Sequence, residues 1–394
     1  MKKKLRLLLS MVLTIVFCIV PVQVFADEIS KITIEVPYEY PVLPGTDEWA
    51  EFYTRNQKVE ACQIPEHLLT NMSTRALALT VLKYPLLNDY IAYDDHLLAA
   101  QNMEKEFNGY RELLTRTDIN DVLLALYQES QVYPENKVDK FDGTSDELDR
   151  LYEFFLVPNI EFLISYSQVY GNSFSDEQQE IFLSELAKKN EARFNSNISS
   201  KISYEYINFW DSISDKNKIA KMDIVLPPQT LAGENGTLKN VYTPNGSSVE
   251  AIYNRSRELS STEKDMGNSY MALHYPNATR ISEPTVKYNC HSYAWYLVSS
   301  SNRYWIDEEN SSEGPNLSKY WTDGSYHEVS SGTSTGIKVF YYNSDHSAIY
   351  QRRKIVNGAP TWIYRSKWGQ CELYDYYLYD CPYPNSRVRY YARS

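Results

Sequence analysis

Lys287-Tyr288-Asn289-Cys290-His291-Ser292-Tyr293-Ala294-Trp295-Tyr296 is followed, 55 residues after its cysteine, by Asp345-His346-Ser347-Ala348-Ile349-Tyr350. Cys290, Tyr293, Ala294 and Leu297 recur at i, i+3, i+4, i+7, which predicts a short helix with the cysteine in its first turn. Unpaired backbone N–H groups there are expected to lower the thiol pKa. His346 opens a run that alternates as a strand does. A thiol acts as a nucleophile through its thiolate, and an imidazole is its usual activator.

Around this pair the final segment reads as strands. Ile337 to Tyr342, Ser347 to Arg353, Thr361 to Arg365 and Val388 to Ala392 are β-branched and aromatic with alternation. Asn357-Gly358 predicts a hairpin turn between the second and third. Reflection about that turn sets residues near 369 across from His346, within a window from Arg365 to Gln370. Ser366 or Gln370 can accept from the imidazole N–H there, whereas charged Lys367 cannot. Trp368 is placed to shield the pair or line a groove. His291 is aimed poorly at the thiol, because neighbours on a helix diverge by about 100°. His327 is a reserve candidate, and His274 lies on another element.

Upstream, the chain reads helical from Thr46 to about Asn195. Ser73 is an N-cap for the Leu77–Leu82 stretch, which stops before Pro85. Thr144-Ser145-Asp146-Glu147 and Ser175-Asp176-Glu177-Gln178 read as helix starts of capping-box type. His67 and His96 read as surface or satisfied core residues, and Asp94 and Asp95 as solvated faces and caps. Pro227-Pro228, Gly233-Glu234-Asn235-Gly236 and Pro244-Asn245-Gly246 signal turns in a connector with a hairpin and a short helix from Ser261 to Met271. The organisation expected is a signal peptide over 1–26, an extended lead-in over 27–45, and a helical domain over 46–199. A connector over 200–285 and a final domain over 286–394 follow. The fold class is α+β, a helical bundle followed by a cysteine-bearing helix packed on an antiparallel sheet.

Lys2, Lys3, Lys4 and Arg6 precede an apolar run from Leu7 to Val24, and Val24-Phe25-Ala26 offers small residues at −3 and −1. This predicts secretion, with no membrane association after cleavage. Phe17-Cys18 lacks the small residue that lipid attachment requires. The formal charge of −12 becomes −16 once the four basic residues leave. Such acidity argues against nucleic-acid partners. Cys62, Cys290, Cys371 and Cys381 remain, and Cys371 and Cys381 are near enough in sequence to be bridged. No Cys-x-x-Cys or His-Glu-x-x-His spacing occurs, so no metal or other cofactor is expected. The 35 tyrosines fit sheet surfaces and can also stack on sugar faces.

Between Tyr288 and Gly369 the chain resembles secreted Gram-positive proteins that are distantly similar to NlpC-type and CHAP cysteine amidases and peptidases. The resemblance rests on Tyr-Asn-Cys-His-Ser-Tyr-Ala-Trp, Asp-His-Ser-Ala-Ile-Tyr and Ser-Lys-Trp-Gly. It implies a papain-like domain, with Cys290 as nucleophile and His346 as base. Ser366 stands where those families more often place His, Asn or Glu. The activity implied is amide hydrolysis in a peptide or peptidoglycan-like substrate, outside the cell or at its wall, with N–H groups at the helix start holding the oxyanion. The other classes left open are an extracellular binding protein with a degenerate papain-like domain, and an effector acting on another protein.

Overall fold

The computed structural model describes residues 33–133, 146–195, 236–255, 258–307, 316–332, 334–342, 344–356, 358–384 and 387–394. The expected signal peptide, Thr144-Ser145, the Pro227-Pro228 and Gly233–Asn235 turns and Asn357 lie outside the described residues.

Local capping chemistry sets the helices. Ser73 accepts from Ala76 N–H at 3.2 Å and starts α4 (Thr74–Leu82), after the short α1 (Asp47–Ala50), α2 (Arg55–Ala61) and α3 (Glu66–Leu69). Asp95 caps α5 (His96–Glu106), which leads to α6 (Asn108–Leu114) and α7 (Ile119–Glu129). Two longer helices follow, α8 (Asp146–Tyr170) and α9 (Asp176–Asn195). At the start of α9, Ser175 Oγ accepts from Gln178 N–H while Gln178 Oε1 accepts from Ser175 N–H. Among the described residues, no helix is long and apolar enough to cross a membrane.

The connector supplies the hairpin β1 (Thr237–Tyr242) and β2 (Ser248–Tyr253), then α10 (Ser261–His274). Short β3 (Thr279–Arg280) and β4 (Tyr304–Trp305), α11 (Lys319–Thr322) and β5 (Tyr326–Val329) lead to β6 (Lys338–Tyr341) and β7 (His346–Val356). The chain ends through β8 (Ala359–Lys367), β9 (Leu373–Tyr377) and β10 (Val388–Arg393). All pairings between these strands are antiparallel, in a sheet β1-β2-β4 and a larger one of order β3-β9-β8-β7-β6-β10-β5. The expected hairpin closes with Val356 opposite Ala359 and Gly358 at φ +78°, a value glycine adopts without strain.

One apolar core runs from the helices onto one face of the large sheet, where Tyr341, Ala348, Tyr350, Tyr364 and Tyr376 point. The other face, with Phe340, Ile349 and Leu373, packs on Tyr293, Ala294 and Trp295 and on Val241 and Val249 of the small sheet. Apolar packing therefore does not stop at the connector. Polar contacts cross the same boundary: Lys58 pairs with Asp380, and Trp49 Nε1 donates to the His274 carbonyl at 2.9 Å.

Candidate functional site

Asn289 fixes the cysteine. Its Oδ1 accepts from Ser292 N–H at 3.1 Å, and its Nδ2 donates to Ile306 O and Asp94 Oδ2, both at 2.7 Å. The helix that follows is only seven residues long, and it widens to π geometry over Ser292–Tyr296, closed by Leu297 N–H on Ser292 O. Leu297 is extended and exposed, so it leaves the face expected of it.

The expected low thiol pKa is overturned. Cys290 is 2% exposed, and burial, then the carboxylates of Asp94 and Asp345, push its pKa well above the ordinary value. The Ser347 and His291 N–H groups favour the thiolate but do not outweigh these. A helix this short supplies little dipole to oppose them.

His346 is fully buried at the start of β7, after Asp345 at φ +44°. Its ring stacks on Tyr383 at 3.7 Å and meets Tyr341 edge-on at 5.0 Å. Nε2 lies 2.9 Å from Ser366 Oγ, so the structure brings Ser366 to His346 as the hairpin reflection expects. The strand register shifts between Tyr350 and Arg352, leaving Ile349 opposite Arg365. Lys367 instead donates to the Thr285 and Gly369 carbonyls, and Trp368 is buried against Tyr374 and Tyr376.

A chain of hydrogen bonds assigns the imidazole tautomer. Tyr341 O–H donates to the Leu378 carbonyl at 3.3 Å, and a carbonyl can only accept. Tyr376 O–H must then donate to Tyr341 at 3.2 Å, and Ser366 O–H to Tyr376 at 3.1 Å. The last donor is His346 Nε2–H, so Nδ1 keeps its lone pair. Nδ1 is buried and has no hydrogen-bond partner among the described residues. Burial, then the neighbouring His291, hold this imidazole well below its ordinary pKa, so it stays neutral. Tyr376 and Tyr383, which both contact His346, also feel the charge of Cys290. Among the described contacts no hydrogen bond links thiol and imidazole; Ser347, which follows His346 on β7, directs its N–H at Cys290 and its Oγ at His291.

His291 lies nearer the thiol than helix geometry suggested. Donor atoms of Asp94, Cys290 and His291 all fall within 4.8 Å of one another, a set with metal-ligating chemistry that no sequence spacing announced. Both ring nitrogens of His291 are already engaged, Nε2 with Asp345 at 2.7 Å and Nδ1 with Ser347 Oγ at 2.9 Å. A metal would have to displace one of these bonds. Asp94, expected as a solvated face or cap, instead holds Asn289 across 195 positions of sequence.

The remaining candidates lie elsewhere. His67 is exposed, His96 is half-buried on α5, and His327 is exposed on β5 beside Ser394. His274 is buried on α10, its pKa pushed down to about 3 chiefly by burial. All four cysteines among the described residues are free, so Cys371 and Cys381 do not pair. Cys381 turns toward the Leu378 carbonyl and Cys371 toward that of Ile91. No protein-family model matches this chain, and neither a curated protein nor a solved structure does.

Proposed function

We propose that this chain is a secreted thiol hydrolase of papain-like arrangement that cleaves an amide bond, with cell-wall peptide as the substrate class. The observation that carries the reading is His346 held through Nε2 by Ser366 with its buried Nδ1 unpartnered, one residue before Ser347, whose N–H faces Cys290. His291 suits the role less well because both of its nitrogens are occupied.

In this reading the resting pair is neutral: a protonated thiol and an unprotonated imidazole. Cys290 Sγ attacks the carbonyl carbon as Nδ1 takes the thiol proton, forming a C–S bond and a tetrahedral oxyanion. The imidazolium then protonates the departing amine and the C–N bond breaks. Water attacks the thioester, its proton passing through Nδ1 back to Sγ as the acid leaves. Ser366 orients the ring and accepts from Nε2–H throughout.

The burial of Cys290 and its raised pKa favour a second reading, an extracellular binding protein whose papain-like domain is inert. The test is incubation of the mature chain with peptidoglycan fragments and a peptide library, scored by new amine termini. The hydrolase reading expects products that disappear in Cys290→Ala and in His346→Ala. Products that persist unchanged in both variants, or no products at all, would overturn it.

A further inference from the structure

A groove of about 500 Å³ opens on the large sheet, outside the Cys290 cluster. Tyr53, Trp362, Tyr364, Tyr377, Tyr379 and Tyr390 line it, and none of the described residues that line it is charged. In a chain with formal charge −12 that neutrality is itself informative. Its size falls in the range of about 300–1,000 Å³ typical of small-ligand sites.

The rings are held before any ligand arrives. Tyr364 O–H donates to the Gly332 carbonyl at 2.9 Å, and Tyr379 and Tyr390 share a hydrogen bond. A Cβ on Gly332 would lie 2.2 Å from the Tyr390 ring, so the glycine lets that ring seat against the backbone. Tyr53 and Tyr377 pack at 5.9 Å between centroids. Trp362 and Tyr379 remain 40% and 47% exposed. Little side-chain freedom is then lost on binding.

We propose that this groove binds a neutral pyranose oligosaccharide, stacked on Trp362 and Tyr379. A pyranose offers an apolar C–H face to an aromatic ring and a rim of hydroxyls that donate and accept. The groove matches both, because its rings are flanked by the hydroxyls of Ser330 and Thr361. An ionic ligand would shed its hydration shell against uncharged walls with no counter-ion to replace it. A proline-rich peptide presents backbone acceptors alone and leaves the accepting half of these hydroxyls unused. Tyr364 is two residues from Ser366 on the same sheet face, about 7 Å along the strand, so the groove opens beside the proposed thiol site.

Binding needs no hydrolysis, so the test stands apart from the thiol reading. The full chain is titrated with the tetramer of N-acetylglucosamine and with cellotetraose, followed by tryptophan fluorescence and calorimetry. Saturable binding to at least one is expected. It should weaken about tenfold or more in Trp362→Ala and Tyr379→Ala and be largely retained in Trp362→Tyr. Circular dichroism identical to the parent shows that each variant folds. No saturation below about 10 mM, or affinity indifferent to Trp362→Ala, would overturn the proposal. So would a proline decapeptide that binds with Trp362 dependence where the glycans do not.

Discussion

Replacing Lys58 by Met tests whether the two halves of the chain share a core. Lys58 on α2 is 0% exposed and Asp380, beyond β9, 1%. The ammonium also donates to the His274 carbonyl at 2.9 Å and lies 4.2 Å from the Tyr275 ring centroid. Met keeps most of the stem's volume and removes the charge, which leaves the Asp380 carboxylate buried without its partner. Breaking a buried pair from one side costs about 3–5 kcal/mol. The titration directions add a second, sharper expectation. Burial raises the Asp380 pKa above 3.8 and lowers that of Lys58 below 10.5. A raised carboxyl pKa contributes stability below the unfolded value, which is lost as pH rises through the folded one. A lowered amine pKa contributes stability above the unfolded value, which is lost as pH falls through the folded one. Between the two folded values neither contribution remains, so the charged pair costs stability relative to an apolar one. Lys58→Met with Asp380→Leu should therefore recover the loss, ending between neutral and about 4 kcal/mol more stable than the parent. Urea unfolding at pH 7, followed by tryptophan fluorescence and circular dichroism, measures both, and a shared core predicts coincident transitions. A single variant within about 1 kcal/mol of the parent would refute the burial, and so would a double variant as damaged as the two singles summed.

Other consequences are as direct. Tyr376→Phe removes the acceptor of the Ser366 hydroxyl and should cost about 1–3 kcal/mol in urea unfolding. It should also loosen the Nε2–H tautomer of His346, read by ¹⁵N NMR of the imidazole. His274 has a folded pKa near 3 against an ordinary 6.5, so its contribution is present above pH 6.5 and lost as pH falls toward 3. About 2 kcal/mol should be gone by pH 5, and denaturant titrations of His274→Gln should lack that slope. Gly369→Ala should destabilise by more than about 1 kcal/mol in thermal melts. Gly369 has φ +50°, and an added Cβ would lie 2.4 Å from the Ala92 carbonyl oxygen.

What the sequence disclosed was local. Ser73, the Ser175 box and the Asn-Gly turn act within a few residues, and strands β6, β7, β8 and β10 alternate clearly enough to be read. Strand β9 gave no such signal. Leu373 to Tyr377 holds no β-branched residue and sets Asp375 among tyrosines, so it lacks the composition that marks the other strands. That strand carries Tyr376, the relay between Ser366 and Tyr341, so the hydrogen-bond chain behind His346 went unread. The insertion of β10 between β6 and β5 is a nonlocal pairing that no turn signal encodes. Asp94 was illegible for the same reason, since only the folded chain brings it to Asn289. Cys290 and His346 stand out in sequence because both motifs are short, but the thiol's pKa direction depends on burial, which spacing does not report.

The claim that Cys290 is served by His346 is tested most directly by alkylation of the intact chain with limiting iodoacetamide at pH 7, with peptide mapping of every cysteine. Burial pushes up the thiol pKa of Cys290 as it does those of Cys62 and Cys381, so Cys290 should label at least about tenfold faster only through proton transfer to His346 Nδ1. That advantage should vanish in His346→Ala and survive in His291→Ala. Equal labelling of Cys290 and Cys62, or an advantage that depends on His291 rather than His346, would contradict it.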